Sequence, residues 1–164
     1  MKIPTKDECI KILKDSKVPD NIIAHANAVC DFSMKVAGVL EKRGIKVDRD
    51  LVAAAALLHD VKKLSQNDHI EEGYSFLKSI GYSKVAQVVR KHGLQHIGDD
   101  KYEPRTWEEK IVFYADKRVK NDRFVSVDER FEYIKKRYNH YDIEKELEFT
   151  KKVEKELLGN EEIV

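Results

Sequence analysis

The chain has 164 residues, enough for one domain with a substantial hydrophobic core. Hydrophobic residues make up 41% and charged residues 37%, with 7 Gly and 3 Pro, a mix that favours a soluble helical protein over a disordered one. The formal net charge of +1 weighs against an extended nucleic-acid-binding face, and no apolar run approaches the ~20 residues of a membrane span.

No apolar stretch follows the first residues, so the N-terminus does not read as a signal peptide. Cys9 and Cys30 both fall in helical patterns and are expected as reduced packing residues of a cytoplasmic protein; no C-x-x-C pair offers a zinc-thiolate site. Thr5 with Glu8 predicts a capping box for a first helix, with Cys9, Ile10 and Leu13 as its apolar stripe. Pro19 and Asp20 start a long second helix whose apolar residues, from Ile22 to Leu40, keep a 3.6 period until Gly44. His25 lies on or beside that stripe. Asp48 caps a third helix, carrying the most apolar segment of the chain (51–58) and ending near His59-Asp60.

A polar loop follows, over 64–68. His69 opens the next helix, with Tyr74, Phe76, Leu77 and Ile80 on its buried side and Gly81 as its stop. Ser83 is expected to cap a helix through Val85, Val88 and Val89 towards His92-Gly93. Residues 94–105 read as a loop containing His96. Thr106 with Glu109 predicts a second capping box, for a helix bearing Trp107, Ile111, Val112, Ala115, Asp116 and Val119. Ser126 with Glu129 caps another helix, through Phe131, Ile134 and Tyr138, and a last amphipathic helix runs from about 142 to 158. No segment alternates with period two, so no sheet is expected. The fold class is all-α: a single-domain bundle of about seven or eight helices over 1–164, with a core at about 20–120 and C-terminal helices at about 126–158.

Imidazole and carboxylate together suit a divalent transition metal (Fe, Mn, Co, Ni or Zn) without thiolates. His59 and Asp60 are adjacent, so on a regular helix they diverge by about 100°; both reach one ion only near a helix end. Alone, His25 reads as a core histidine bonded to a backbone carbonyl, and Asp116 as a carboxylate paired with Lys117, Arg118 or Arg90. Their order is more telling: a histidine on an early buried helix, His-Asp after an apolar helix, then an aspartate inside a later apolar helix.

With His25 in 24–29 (AHANAV), His59-Asp60 in 57–63 (LLHDVKK) and Asp116 in 114–117 (YADK), the chain resembles the HD-domain metal-dependent phosphohydrolases over roughly 20–120. His69 in 69–73 (HIEEG) and His92 in 89–93 (VRKHG) match the subset with a dinuclear centre, which includes hydrolases of dinucleoside polyphosphates and other nucleotides. The loop after His92 departs from the polyphosphatase branch, which tends to have a threonine beside its histidine, where this chain reads Gly93-Leu94-Gln95-His96.

The resemblance implies His25, His59, Asp60 and Asp116 on one ion and Asp60, His69 and His92 on a second, with Asp60 bridging. It also implies hydrolysis of a nucleotide or other phosphoester or phosphoanhydride by a metal-activated hydroxide. Asp60 and Lys63 are the catalytic residues on this view. Lys63, His96 and Arg118 face substrate, Asp68 or Glu72 carries protons, and His140 sits on the surface. The cations Lys117, Lys120 and Arg123 read as a solvated helix face. The expected partner is a phosphorylated small molecule, a nucleotide first among them; no membrane is expected and the oligomeric state stays open. Three alternatives remain: a mononuclear 5′-nucleotidase-like enzyme, a nucleotide-binding regulatory protein with little turnover, and a helical interaction module with incidental histidines.

Overall fold

Capping side chains set most of the helix starts. In the computed structural model, which describes residues 2–95, 97–137 and 143–163, Thr5 accepts from the Glu8 amide and the Glu8 carboxylate accepts from the Thr5 amide, opening α1 (Lys6–Asp15). α2 (Asp20–Lys42) begins after Pro19, and its stop is Gly44, at φ +81° in the left-handed region that favours glycine. Asp48 accepts from the Leu51 amide to open α3 (Arg49–Leu58), and Asp68 accepts from the Ile70 and Glu71 amides to open α4 (His69–Ser79). After α5 (Ser83–Arg90), the Thr106/Glu109 capping box opens α6 (Trp107–Asp116). β1 (Val119–Lys120), β2 (Arg123–Phe124), α7 (Val127–Arg137) and α8 (Ile143–Leu158) follow, so the described residues hold eight helices and the all-α expectation stands.

α3 is the hub. Seven of its ten residues are buried, and α1, α2, α5 and α6 all pack against it. A helix apolar on nearly every side belongs at the centre of a bundle, and Ala54, Ala55 and Ala56 let neighbouring backbones approach it. Outside this hub, Phe32 of α2 meets Tyr114 of α6 and Phe124 of β2 edge to face, with ring centroids 5.9 and 5.1 Å apart. α8 packs on α2, α6 and α7, tying the C-terminal helices to the same core. Cys9 and Cys30 are buried and free; burial pushes the Cys9 thiol up to about 12 and raises Cys30 as well, so neither is a reactive thiolate at neutral pH. No helix among the described residues is long and apolar enough to cross a membrane.

Several local expectations need correcting. α6 ends at Asp116, not beyond Val119, because the Lys117 and Arg118 amides turn back to Tyr114 O and Ala115 O. Val119 then pairs with Phe124 and Lys120 with Arg123 in a two-stranded antiparallel ribbon, turned by Asn121 at φ +57°. Two residues per strand are too few for a period-two pattern to register. Ser83 makes no capping bond: it is already the first residue of α5, and Tyr82 precedes it. Ile80 lies past the end of α4 as its cap residue and is 42% exposed instead of buried. Tyr138, Asp142 and His140 lie outside the described residues.

Candidate metal centre

The ends of α3, α4, α5 and α6 and the body of α2 converge on one cluster of imidazoles and carboxylates. After Leu58 the chain tightens, with Val61 N–H bonded to Leu58 O and Lys63 N–H to Asp60 O. These three-residue turns let adjacent His59 and Asp60 aim at the same point, as the sequence required of a helix end. His92 sits just past α5 in a similar turn, its N–H bonded to Val89 O. His69 is the first residue of α4, Asp116 the last of α6, and His25 lies within α2.

Asp60 is where two ligand groups meet. His25, His59 and Asp60 form one, and Asp60, His69 and His92 the other, with the ligand atoms of each group within 4.8 Å of one another. Asp60 Oδ2 faces His59 Nε2 at 3.2 Å and His25 Nε2 at 3.8 Å, while its Oδ1 faces His92 Nε2 at 3.6 Å and His69 Nε2 at 3.9 Å. Asp116 joins the first group through Oδ1, 3.1 Å from His25 Nε2 and 3.3 Å from His59 Nε2.

Three of the four rings are fixed from behind. The Nδ1 atoms of His25, His59 and His92 each lie 2.6 Å from a backbone carbonyl, of Asn121, Ala56 and Val89 respectively. Donation of Nδ1–H to a carbonyl selects the tautomer that leaves Nε2 free to bind an ion. That arrangement suits divalent ions. His59 Nε2 is buried with no hydrogen-bond partner, although two carboxylates stand within 3.3 Å of it. A buried lone pair facing carboxylate oxygens needs a positive charge between them, supplied by a proton or by a metal ion.

Without an ion, the proton takes that role. Burial disfavours the charged imidazole, but the charge of Asp60, with the close approach of the Asp116 and Asp60 carboxylates, overcomes it and pushes His59 up to about 10. Asp60 and Asp116 are held well below the usual carboxylate range. Burial opposes this, but it is outweighed by His59 for Asp60 and by Lys117, His25 and His59 for Asp116. Burial and the charge of His92 push His69 down to about 4, and burial lowers His92, so this second pair is ready as neutral ligands. An ion entering the first group must therefore expel the His59 proton. Uptake is expected to release about one proton, and apparent affinity to rise up to tenfold per pH unit between pH 6 and about 9. Calorimetry in buffers of different ionisation enthalpy measures the release; zero release would show that His59 carries no proton in the free protein.

The remaining predicted residues divide. Lys63 and Glu72 line a cavity of about 280 Å³ that reaches Asp60, and Lys62 beside them rests its ammonium on the Phe76 ring. Asp68 spends its carboxylate on capping α4, which leaves Glu72 the better-placed proton carrier of the two. Arg118, expected at substrate, is instead bound to Val125 O, the Tyr114 hydroxyl and Ile163 O, with its guanidinium over the Phe32 ring. Those bonds hold the ribbon and the C-terminus to the core. Arg90 pairs with Glu71 and not with Asp116. His96 lies outside the described residues.

Lys117 takes the first of its two expected places, as the partner of Asp116, and not the second, on a solvated face. Instead of a solvated cation it is 3% exposed, and its ammonium donates to Asp116 Oδ2 at 2.8 Å and His92 O at 2.9 Å. It thus holds Asp116 with Oδ1 turned to the imidazoles, and ties the ends of α5 and α6 together. Its place directly after an aspartate on an apolar helix was the one available signal.

The chain is 35% identical over 138 residues to a tRNA (cytidine(56)-2′-O)-methyltransferase of Picrophilus torridus, covering 76% of this chain and 39% of that protein. A protein of the same name from Thermoplasma volcanium is 29% identical, over 74% of this chain and 38% of the other. The chain thus spans about two-fifths of the length of these methyltransferases. An uncharacterized protein of Methanocaldococcus jannaschii is 28% identical over 85% of this chain and 90% of its own length. No solved structure matches. Residues 22–120, which contain all six converging His and Asp residues, match the HD domain, and this chain belongs to the HD-domain family.

Proposed function

We propose that this protein is a metal-dependent phosphohydrolase acting on a nucleotide or another phosphoester or phosphoanhydride. The observation that carries the proposal is the division of Asp60 between two ligand groups, one oxygen to each. Divalent ions held there would supply Lewis-acid charge and a water acidic enough to give hydroxide near neutral pH. His25, His59, Asp60 and Asp116 would hold the first ion, and Asp60, His69 and His92 the second. Lys63, on the cavity that opens at Asp60, offers its charge to phosphoryl oxygens. Glu72, on the same cavity, is placed to accept and return a proton.

A second function is favoured by the names of two relatives, which are tRNA methyltransferases. Methyl transfer to a ribose hydroxyl needs a bound methyl donor. A cluster of converging imidazoles and carboxylates serves a cation instead, and supports hydrolysis for the segment that this chain shares with them.

An activity screen separates the two. Protein purified without a histidine tag is expected to contain about two ions per chain. It should release phosphate from at least one member of a panel of nucleotides, dinucleoside polyphosphates and phosphate monoesters supplied with Mn, Co, Ni, Fe or Zn, and a chelator should stop it. Absence of release across the whole panel, or methylation of a tRNA transcript by this chain alone, would sink the hydrolase proposal. One ion per chain with activity retained would favour the mononuclear alternative.

A further inference from the structure

The turn after α1 ends in an unusual way. Lys17 N–H bonds Lys14 O at 2.9 Å and Val18 N–H bonds Leu13 O at 3.0 Å, which closes a left-handed helix stop with Lys17 at φ +60°. Glycine is the residue this conformation favours, because a Cβ crowds the backbone there. At the ends of α2, α4 and α8 the positive-φ residue is indeed glycine, at 44, 81 and 159. A lysine held at a strained stop invites the question of what its side chain does.

Lys17 lines the same cavity of about 280 Å³ that Asp60 and Lys63 line. Both lysines are exposed, and among the described residues neither is held by an ion pair. Leu64, on the same cavity, is 67% exposed, the most exposed of the large apolar side chains among the described residues, and Val18 and Ile22 add partly buried apolar surface. The cavity therefore combines an acidic interior, two uncommitted ammonium groups and an apolar wall. One phosphoryl group at the Asp60 end uses Lys63. The second ammonium comes from a turn that precedes residue 22, where the family match begins.

We propose that Lys17 determines specificity by binding a second anionic group of the ligand, so that the site takes molecules carrying two phosphoryl groups, with an apolar body against Leu64. This rests on the phosphohydrolase proposal only for where the first phosphoryl group sits.

The test measures binding and requires no turnover. The full chain, loaded with Mn and checked for metal content before and after, is titrated with methylphosphonate and with methylenediphosphonate, neither of which is hydrolysed. The wild-type protein is expected to bind the diphosphonate about 10-fold more tightly, a difference of about 1.4 kcal/mol. Lys17→Gly removes that preference while its affinity for methylphosphonate stays within about twofold, and Lys17→Arg keeps the preference. The glycine variant also relieves the strained stop, so its melting temperature should equal or exceed that of the wild type, which excludes misfolding as the cause. The proposal is overturned if the wild-type protein shows no preference, or if Lys17→Gly weakens both ligands equally or neither. A chain that prefers the diphosphonate through Lys17 but hydrolyses nothing would defeat the hydrolase proposal alone. A hydrolase indifferent to Lys17→Gly would defeat this one alone.

Discussion

Asp60→Ala is expected to abolish metal loading and the proposed phosphate release together, while the far-UV helical signal stays close to that of the wild type. Asp60 is the one residue common to both ligand groups, with Oδ2 towards His25 and His59 and Oδ1 towards His69 and His92. Its loss leaves each group short of the anionic ligand placed between them. Charge stabilisation by bound ions is worth several kcal/mol, so turnover should fall about 10³-fold or more. The fold is expected to survive because the core around α3 is built from apolar contacts that do not include Asp60. His59 keeps Asp116 as a counter-charge when Asp60 is lost, which limits the penalty in the folded state. Metal analysis and steady-state rates on the same preparation decide the matter: undiminished turnover by a folded, metal-free variant would remove the mechanism.

Lys117→Met should cost about 3–5 kcal/mol of stability and, independently, weaken metal binding about 10–100-fold. The ammonium is buried over the Phe113 ring, bonded to Asp116 Oδ2 and to the His92 carbonyl. Methionine keeps the length of the side chain but leaves one carboxylate oxygen and one carbonyl buried without a donor. Asp116 is held well below the usual carboxylate range in the folded protein, against burial, with Lys117 the foremost counter-charge. A depressed folded value means that the stabilisation is present above the unfolded value of about 3.9 and is lost as pH falls through the folded one. In Lys117→Met the acid-side loss should move to higher pH. Denaturant titrations at pH 7, 5 and 4 measure both effects, and an unchanged unfolding free energy at pH 7 would show that Lys117 is not the needed partner.

The helices were legible in the sequence because their signals are local. Thr5/Glu8, Asp48 and Thr106/Glu109 cap as their spacing predicts, since a capping bond joins residues no more than three apart. His25, His59, Asp60 and Asp116 could be nominated by their order in the chain, and His69 and His92 by the family resemblance; the structure brings all six to one place. What stayed hidden depends on contacts between distant segments. In the row Lys117, Arg118, Lys120 and Arg123, the sequence leaves Lys117 open between Asp116 and a solvated face and points Arg118 to substrate. Only the packing of α6 against the end of α5 sends Lys117 inward, and only the ribbon and the C-terminus engage Arg118. The ribbon was missed because four paired residues carry no periodicity. Lys17 was missed because a left-handed stop is announced in sequence by glycine, and here glycine is absent.

The carbonyl braces behind His25, His59 and His92 have a consequence for how this protein meets its ions. Asn121, Ala56 and Val89 aim the rings through backbone bonds, so the fold itself, and not an ion alone, orients the three imidazoles. Loading therefore does not have to organise the chain, in contrast to small domains that fold only around their metal. An ion adds stability only by mass action, in proportion to the logarithm of its concentration over its dissociation constant. Stripping and recharging should then be reversible on an intact fold, which leaves the identity of the resident ion to be set by supply and exchange.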